Sequence, residues 1–369
     1  MNFDEGILKN EEKISFALRA LYQRHGYAQY RMSRFEEYEL YVNNKDFLIS
    51  SDVITFNDTD GRLMALKPDV TLSIVRASRL HSGEVKKVYY DENVYRVSRS
   101  ARSFREIRQV GLECLGEVDD YEIGEVLLLA AESLRLISRE NTLNLSHLGI
   151  VGAMLDELGL AGEARKGALR CLGEKNLHEL RAVCREAGVS EEGTERLCAL
   201  ILFSGRPEAV LPELRRLGCD EGAVSQLETL SAMLREGGFG ETISLDFSVL
   251  SDMKYYNGVT FQGFVRGVPA GVISGGQYDR LLDRMGRKGR AIGFACYLDA
   301  LSRLEKPERR LDADTVLLYD RDDDPLRVAA AVRALGEEGG SVLALRALPE
   351  GLLYRRLGRL TESGVRFDA

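Results

Sequence analysis

The chain reads as an α+β protein: one large α+β domain spanning residues 1–310, interrupted by a helical insertion at about 150–238 and followed by a short α/β segment, 311–369. Two observations predict this. Strand-like runs fall before residue 120 or so and again after 238, with glycine-broken, leucine-rich helical patterns between them. Strand and helix patterns do not alternate regularly through the large domain, as a doubly wound parallel sheet would require.

The elements follow in order. "EEKISFALRALYQRHG" places Ile14, Ala17, Leu18 and Leu21 at helical spacing, with Gly26 as a stop. "SDVITFNDTDGRLMAL" reads as a hairpin turning at Asp60-Gly61. "EVKKVYYDENVYRVS" is rich in β-branched and aromatic residues, and "IRQVGLECLGE" alternates as a half-buried strand. "GEVLLLAAESLRLI" is an apolar helix. In the insertion, Leu177, Leu180, Val183 and Cys184, then Val224, Leu227 and Leu230, recur at helical intervals. Strands are expected again at "ETISLDFSVL" and "GFVRGVPAGVISGGQYD", and a helix at "AIGFACYLDALSRL". The final segment is expected as strand "DTVLLYD", helix "PLRVAAAVRALGEEGG", strand "SVLALRAL" and a last helix.

Composition removes several classes of function. The net charge of −8 and a pI near 5.4 give no general basic footprint for nucleic acid. No apolar run is long enough to span a bilayer, and the N-terminal "MNFDEGILKNEEK" lacks the pattern of a secretory signal, so a cytoplasmic location is expected. The six cysteines are scattered without a C-x-x-C, and the four histidines are isolated; reduced thiols and no metal or cofactor are expected.

Polar residues interrupt strand-like stretches in four places: "LKPDVT" (Asp69, Thr71), "NVYRVSRSARSFREIRQVGLE" (Arg96, Gln109, Glu113), "MKYYNG" (Tyr255, Tyr256) and "SGGQYD" (Gln277, Tyr278). Gln109 and Glu113, four apart, share one face of a regular strand, and a buried Glu113 needs a ligand or a fixed cation to offset its desolvation. The adjacent tyrosines would project to opposite faces of an extended strand. Together the set offers carboxylates for an ammonium, an arginine for a carboxylate, and phenols and amides for a polar ring, which is the chemistry of an amino-acid pocket.

These stretches resemble known motifs in the same order. "YYDENVYRVSRSARSFREIRQVGLECLGE" looks like motif 2 of class II aminoacyl-tRNA synthetases, and "ALKPDVT" is similar to the Arg-Pro-Glu-Gly-Thr segment of histidyl-tRNA synthetases. "MKYYNGVTF" and "SGGQYDRL" resemble the two histidine-recognition motifs of that family, and "AIGFACYLDAL" stands at motif 3. The resemblance implies a class II synthetase-like antiparallel sheet flanked by helices, and a self-dimer through the N-terminal region. Carried over by position, Asp69 and Glu113 would meet the α-ammonium of L-histidine and Arg96 its carboxylate. Thr71, Gln109, Tyr255, Tyr256 and Tyr278 would line the rest, with Gly275 and Gly276 allowing close backbone approach.

The same comparison shows losses. Ser251 stands where the synthetases carry an arginine in the first histidine motif, Ala300 where motif 3 has one, and Ser98 where motif 2 has a glutamate. Fixed cations at a phosphoryl centre supply much of the rate, so aminoacylation is not expected. A chain that keeps the amino-acid positions and loses those for ATP resembles the regulatory subunits of ATP phosphoribosyltransferase, a histidyl-tRNA synthetase paralogue family. Those subunits assemble with the short-form catalytic subunit and act in the first step of histidine biosynthesis. "KPDVT", with Asp69 and without the synthetase glycine, suits that family, although Lys67 stands where arginine is usual. The resemblance implies a non-catalytic partner carrying a feedback sensor. The alternatives are a residual synthetase-like ligase or an RNA-binding accessory protein.

Overall fold

The computed structural model describes residues 8–44, 53–98, 103–250, 255–304 and 311–368, and it forms two compact units, 1–304 and 305–369. The larger unit opens with helix α1 (Asn10–Arg24), which buries Ile14, Leu18, Leu21 and Tyr22 along one stripe. Gly26, at φ +79°, ends it in the left-handed region that glycine adopts without strain. Strand β1 (Ala28–Gln29) follows, then β2 (Phe35–Glu37) and helix α2 (Tyr38–Val42). The hairpin expected around Asp60-Gly61 is present as β3 (Thr55–Asn57) and β4 (Leu63–Leu66). In its loop the Asp58 carboxylate accepts from the N–H groups of Asp60 and Arg62 at 2.9 and 2.8 Å. These strands form a small sheet in the order β2-β4-β3.

Helix α3 (Thr71–Ala77) leads into the long strands β5 (Val85–Ser98) and β6 (Ser103–Gly116), paired antiparallel along their whole length. Helix α4 (Asp120–Ile137) starts from a capping box between Asp119 and Glu122 and buries an apolar face. After β7 (Asn141–His147) come α5 (Leu148–Glu157), α6 (Gly162–Gly173), α7 (Leu177–Glu186) and α8 (Glu191–Leu202). The two-residue β8 (Ser204–Gly205), α9 (Pro207–Arg216) and α10 (Glu221–Glu236) complete the helical region. Strands β9 (Ile243–Asp246), β10 (Val259–Val265) and β11 (Ile273–Gln277), helix α11 (Asp279–Arg284) and strand β12 (Arg290–Tyr297) close the unit with a short 3-10 turn, Leu298–Leu304.

The central sheet runs β1-β5-β6-β12-β11-β10-β7-β9-β8. Its middle is antiparallel as expected, while β1 with β5 and β7 with β9 pair in parallel, so the sheet is mixed. One face carries the main core. There Val110, Leu112 and Cys114 of β6 pack among residues of α1 and α4 such as Leu18, Tyr22, Ile123 and Leu127. The other face carries a separate cluster that includes Val88, Tyr90, Val94, Tyr255, Tyr278 and Leu281.

Two expected helices are strands. "AIGFACY" is β12, bonded on both sides to β11 and β6. A strand covered on both faces shows a continuous apolar run, which periodicity does not separate from a buried helix. The expected last helix is the hairpin β15 (Tyr354–Thr361) and β16 (Gly364–Phe367), turning through Glu362 and Ser363 with Gly364 at φ +122°. With β13 (Ala313–Leu318), α12 (Pro325–Glu337) and β14 (Val342–Leu345) it makes the smaller unit, a sheet ordered β14-β13-β15-β16 around Ala313, Val316 and Leu318.

Candidate functional site: a buried carboxylate pocket

The register of the sheet assembles the site. Glu113 on β6 lies between Val88 of β5 and Gly293 of β12, Gly111 lies opposite Tyr90, and Gln109 lies opposite Tyr297. Because side chains alternate, these residues project from the face opposite the main core. Asp69, Thr71, Arg96, Gln109, Glu113, Tyr255, Tyr256 and Tyr278 all line one pocket there, so the eight residues that the resemblance assigns to histidine contacts are brought together.

Glu113 is the centre of the pocket, only 2% exposed. The Thr71 hydroxyl donates to its Oε1 at 2.6 Å and the Tyr278 hydroxyl to its Oε2 at 2.6 Å. Burial nevertheless pushes the Glu113 carboxyl up to about 8, with the nearby Asp69 charge adding to the rise against these two donors. Asp69 accepts from Leu72 N–H at 2.9 Å at the start of α3, and burial raises its carboxyl too, opposed by that bond and by Arg96. Arg96 donates through Nε to the Pro68 carbonyl at 3.3 Å and also bonds the Tyr297 side chain. Two buried carboxyls driven toward their neutral forms amount to a site that gains from an incoming cation.

Several local expectations need correction. Asp69 lies in a loop and Thr71 begins α3, so neither occupies a strand. Tyr255 and Tyr256 sit in the turn before β10 and not on opposite faces of a strand; their rings meet edge-on at 4.6 Å and both reach the pocket. Gln277 does not line it: its Oε1 accepts from Val259 N–H at 2.9 Å and so fixes the tyrosine turn. Asp279 shares that task, accepting from Asn257 Nδ2 at 3.0 Å and from Ala291 N–H at 2.8 Å.

The glycines that matter are also different. Gly275 and Gly276 are absent from the lining; a side chain on Gly276 would strike Tyr256 at 2.7 Å and one on Gly275 the Gly293 carbonyl at 2.4 Å. Gly293 is the glycine of the pocket, since a Cβ there would lie 1.8 Å from Glu113 Oε2. Tyr90, Ser274, Gly293, Phe294, Ala295 and Tyr297 complete the lining and were not anticipated. The only available signal was the alternation that places all of them except Phe294 in phase with Glu113.

Of the positions where synthetase groups are missing, Ala300 packs against the main core. Ser98 ends β5, with its side chain outside the described residues, and Ser251 lies outside them altogether. Among the described lining residues, Arg96 is the one cation. Lys67, the departure noted above, is buried and paired to Glu92 at 2.6 Å. Among the described residues no group of three or more His, Cys, Asp or Glu is placed to hold a metal, and no helix is long and apolar enough to cross a membrane.

The histidyl-tRNA synthetase family model matches residues 4–301. An ATP phosphoribosyltransferase regulatory subunit from Desulfitobacterium hafniense is 31% identical over 298 residues, covering 77% of this chain and 75% of that protein. The chain belongs to this family of histidyl-tRNA synthetase-like regulatory subunits. A second member, from Caldanaerobacter subterraneus subsp. tengcongensis, is 27% identical over 343 residues, 90% of this chain and 89% of the relative. A solved structure described as an ATP phosphoribosyltransferase regulatory subunit/histidyl-tRNA synthetase from Bacillus halodurans superposes with a TM-score of 0.76 at 24% identity, covering 97% of this chain and all of the other. The class II synthetase-like fold is thereby shown, and the family's regulatory subunits are named for their part in ATP phosphoribosyltransferase.

Proposed function

We propose that this non-catalytic subunit of ATP phosphoribosyltransferase binds free L-histidine in the Glu113 pocket and passes its occupancy to a short-form catalytic subunit, so that the first step of histidine biosynthesis slows as histidine accumulates. The observation that carries this is the pairing of two buried carboxyls, Asp69 and Glu113, with Arg96 in one cavity. An α-amino acid presents an ammonium to the first two and a carboxylate to the third, and each charge-assisted contact contributes about 1.5–3 kcal/mol. The phenols of Tyr255, Tyr256 and Tyr278 and the Gln109 amide line the same cavity and are the partners a polar ring would meet on entering it.

Feedback follows if histidine binds the active and inhibited assemblies with different affinity. A dimer of this chain is part of the reading, supported by exposed apolar side chains on the small sheet. Phe35 and Phe56, both exposed, meet at 5.3 Å. The test is co-purification with a short-form catalytic subunit, followed by assay of phosphoribosyl-ATP formation with and without histidine. The reading predicts a stable complex whose activity falls on adding histidine. Absence of the complex, or activity indifferent to histidine, contradicts it.

A further inference from the structure

Five phenols line the amino-acid pocket, those of Tyr90, Tyr255, Tyr256, Tyr278 and Tyr297, and their hydrogen bonds divide them. Tyr278 donates to Glu113, Tyr255 is bonded to the Thr71 side chain and Tyr297 to Arg96, so three of the hydroxyls are engaged by the pocket's own residues. Among the described residues no hydrogen bond reaches the hydroxyl of Tyr90 or of Tyr256. Tyr256 is half-buried and also borders a second cavity, of about 820 Å³, where water can meet it. Tyr90 is only 2% exposed and faces the amino-acid pocket alone.

The sheet itself holds Tyr90 in place. On β5 it lies opposite Gly111 of β6, which stands between Gln109 and Glu113 on the pocket face. Gly111 carries no side chain, and a Cβ there would lie 2.5 Å from the Tyr90 hydroxyl oxygen. The bare glycine is therefore the gap through which the ring crosses β6, and the hydroxyl rests over the strand between the Gln109 amide and the Glu113 carboxyl. Burial holds the phenol well above its ordinary value, with Glu113 foremost among the charges that add to the rise, so the oxygen keeps its proton and remains a donor.

Only about 20 Å³ of the pocket is open to water, room for about one molecule, so a bound amino acid displaces that water and part of the wall. Tyr90, wedged over Gly111, is not the part with room to move. A buried hydroxyl that loses its water must find its partner on the ligand. We infer that Tyr90 sets the specificity of the pocket: its hydroxyl donates to a ring nitrogen of the bound amino acid and so selects a nitrogen-bearing ring over an apolar ring of the same size. The inference rests on the histidine reading above and adds to it the group that does the selecting. Ammonium and carboxylate are common to all α-amino acids, so Asp69, Glu113 and Arg96 do not distinguish one from another. A site built around a buried donor rejects an analogue without the matching acceptor far more strongly than an apolar slot rejects a misfit.

The test is calorimetric titration of the full chain with L-histidine and with β-(2-thienyl)-L-alanine, which keeps the ammonium, the carboxylate and a five-membered aromatic ring and has no ring nitrogen. The native chain should prefer histidine by about tenfold or more. Tyr90→Phe, which keeps the ring and loses the hydroxyl, should weaken histidine by about tenfold and leave the thienyl analogue unchanged or tighter, so that the preference collapses. Tyr278→Phe, which removes a donor to Glu113, should weaken both ligands by the same factor and leave the preference intact. Equal weakening of both ligands in Tyr90→Phe, or an unchanged histidine affinity there, overturns the role of Tyr90 while the histidine reading stands. A preference that collapses in Tyr278→Phe and not in Tyr90→Phe overturns it as well. If the native chain does not bind histidine, the pocket reading fails and this inference with it.

Discussion

The two faces of β6 divide the labour of the larger unit. Val110, Leu112 and Cys114 point into a core shared with α1 and α4, while Gln109, Gly111 and Glu113, one step out of phase, face a cavity of carboxyls and phenols. Identical backbone pairing serves both. The apolar face is stabilised by burial and close packing; the polar face spends part of that stability holding Glu113 away from water with two neutral hydroxyl donors and, among the described residues, no directly bonded cation. A face that is uncomfortable when empty is one that a ligand of the right charge stabilises.

The contrast can be broken from either side. The largest effect is expected from Leu112→Ala on the core face, a loss of about 2–5 kcal/mol in urea unfolding, with the histidine affinity of the folded protein unchanged. Gly293→Ala crosses the divide. Its Cβ would meet Glu113 Oε2 at 1.8 Å and the Leu112 carbonyl at 2.5 Å, so it should cost about 1–3 kcal/mol and also abolish histidine binding in calorimetry.

Next comes pH. The folded Glu113 carboxyl titrates at about 8, above its ordinary 4.5. The folded state therefore binds more protons than the unfolded state between these values, and this contribution to stability is complete below 4.5 and lost as pH rises through 8. In the ligand-free protein, Glu113→Gln should remove a decline approaching about 1.4 kcal/mol per pH unit across that window, read as the difference between variant and native urea midpoints. An unchanged pH profile means that Glu113 is ionised in the fold. The smallest effect is expected from Tyr297→Phe, which removes one bond to Arg96 and should weaken histidine binding by about 0.5–1.5 kcal/mol without a measurable change in the urea midpoint.

The amino-acid residues were legible in the sequence because Arg96, Gln109 and Glu113 break an apolar alternation that burial would otherwise favour, and because the tyrosine and Asp69 stretches resemble known motifs in the right order. The strand β12 was not legible. Ile292 and Cys296 enter the core on one face and Ala291 the second cluster on the other, which leaves a run with no polar phase. For the same reason Tyr90, Gly293 and Tyr297 pass for ordinary packing residues until Glu113 is seen opposite Gly293 and Gln109 opposite Tyr297. The closing hairpin was hidden by a different effect: "LLYRRLGRL" carries leucines at helical intervals, while the turn that decides its fold rests on Gly364. The tyrosine pair misled because strand geometry was assumed where Gln277 and Asp279 hold a turn.

The central claim, that the polar face of β6 is a histidine sensor, is tested most directly by calorimetric titration of histidine into the native chain and Glu113→Gln at pH 7. The native chain should bind, with an apparent enthalpy that changes with the ionisation heat of the buffer because the ligand's ammonium drives a proton from Glu113. The variant, which keeps the shape and loses the charge, should bind about ten- to a hundredfold more weakly and release fewer protons than the native chain. Equal affinity in the two proteins, or no binding by the native chain at millimolar histidine, would contradict the account.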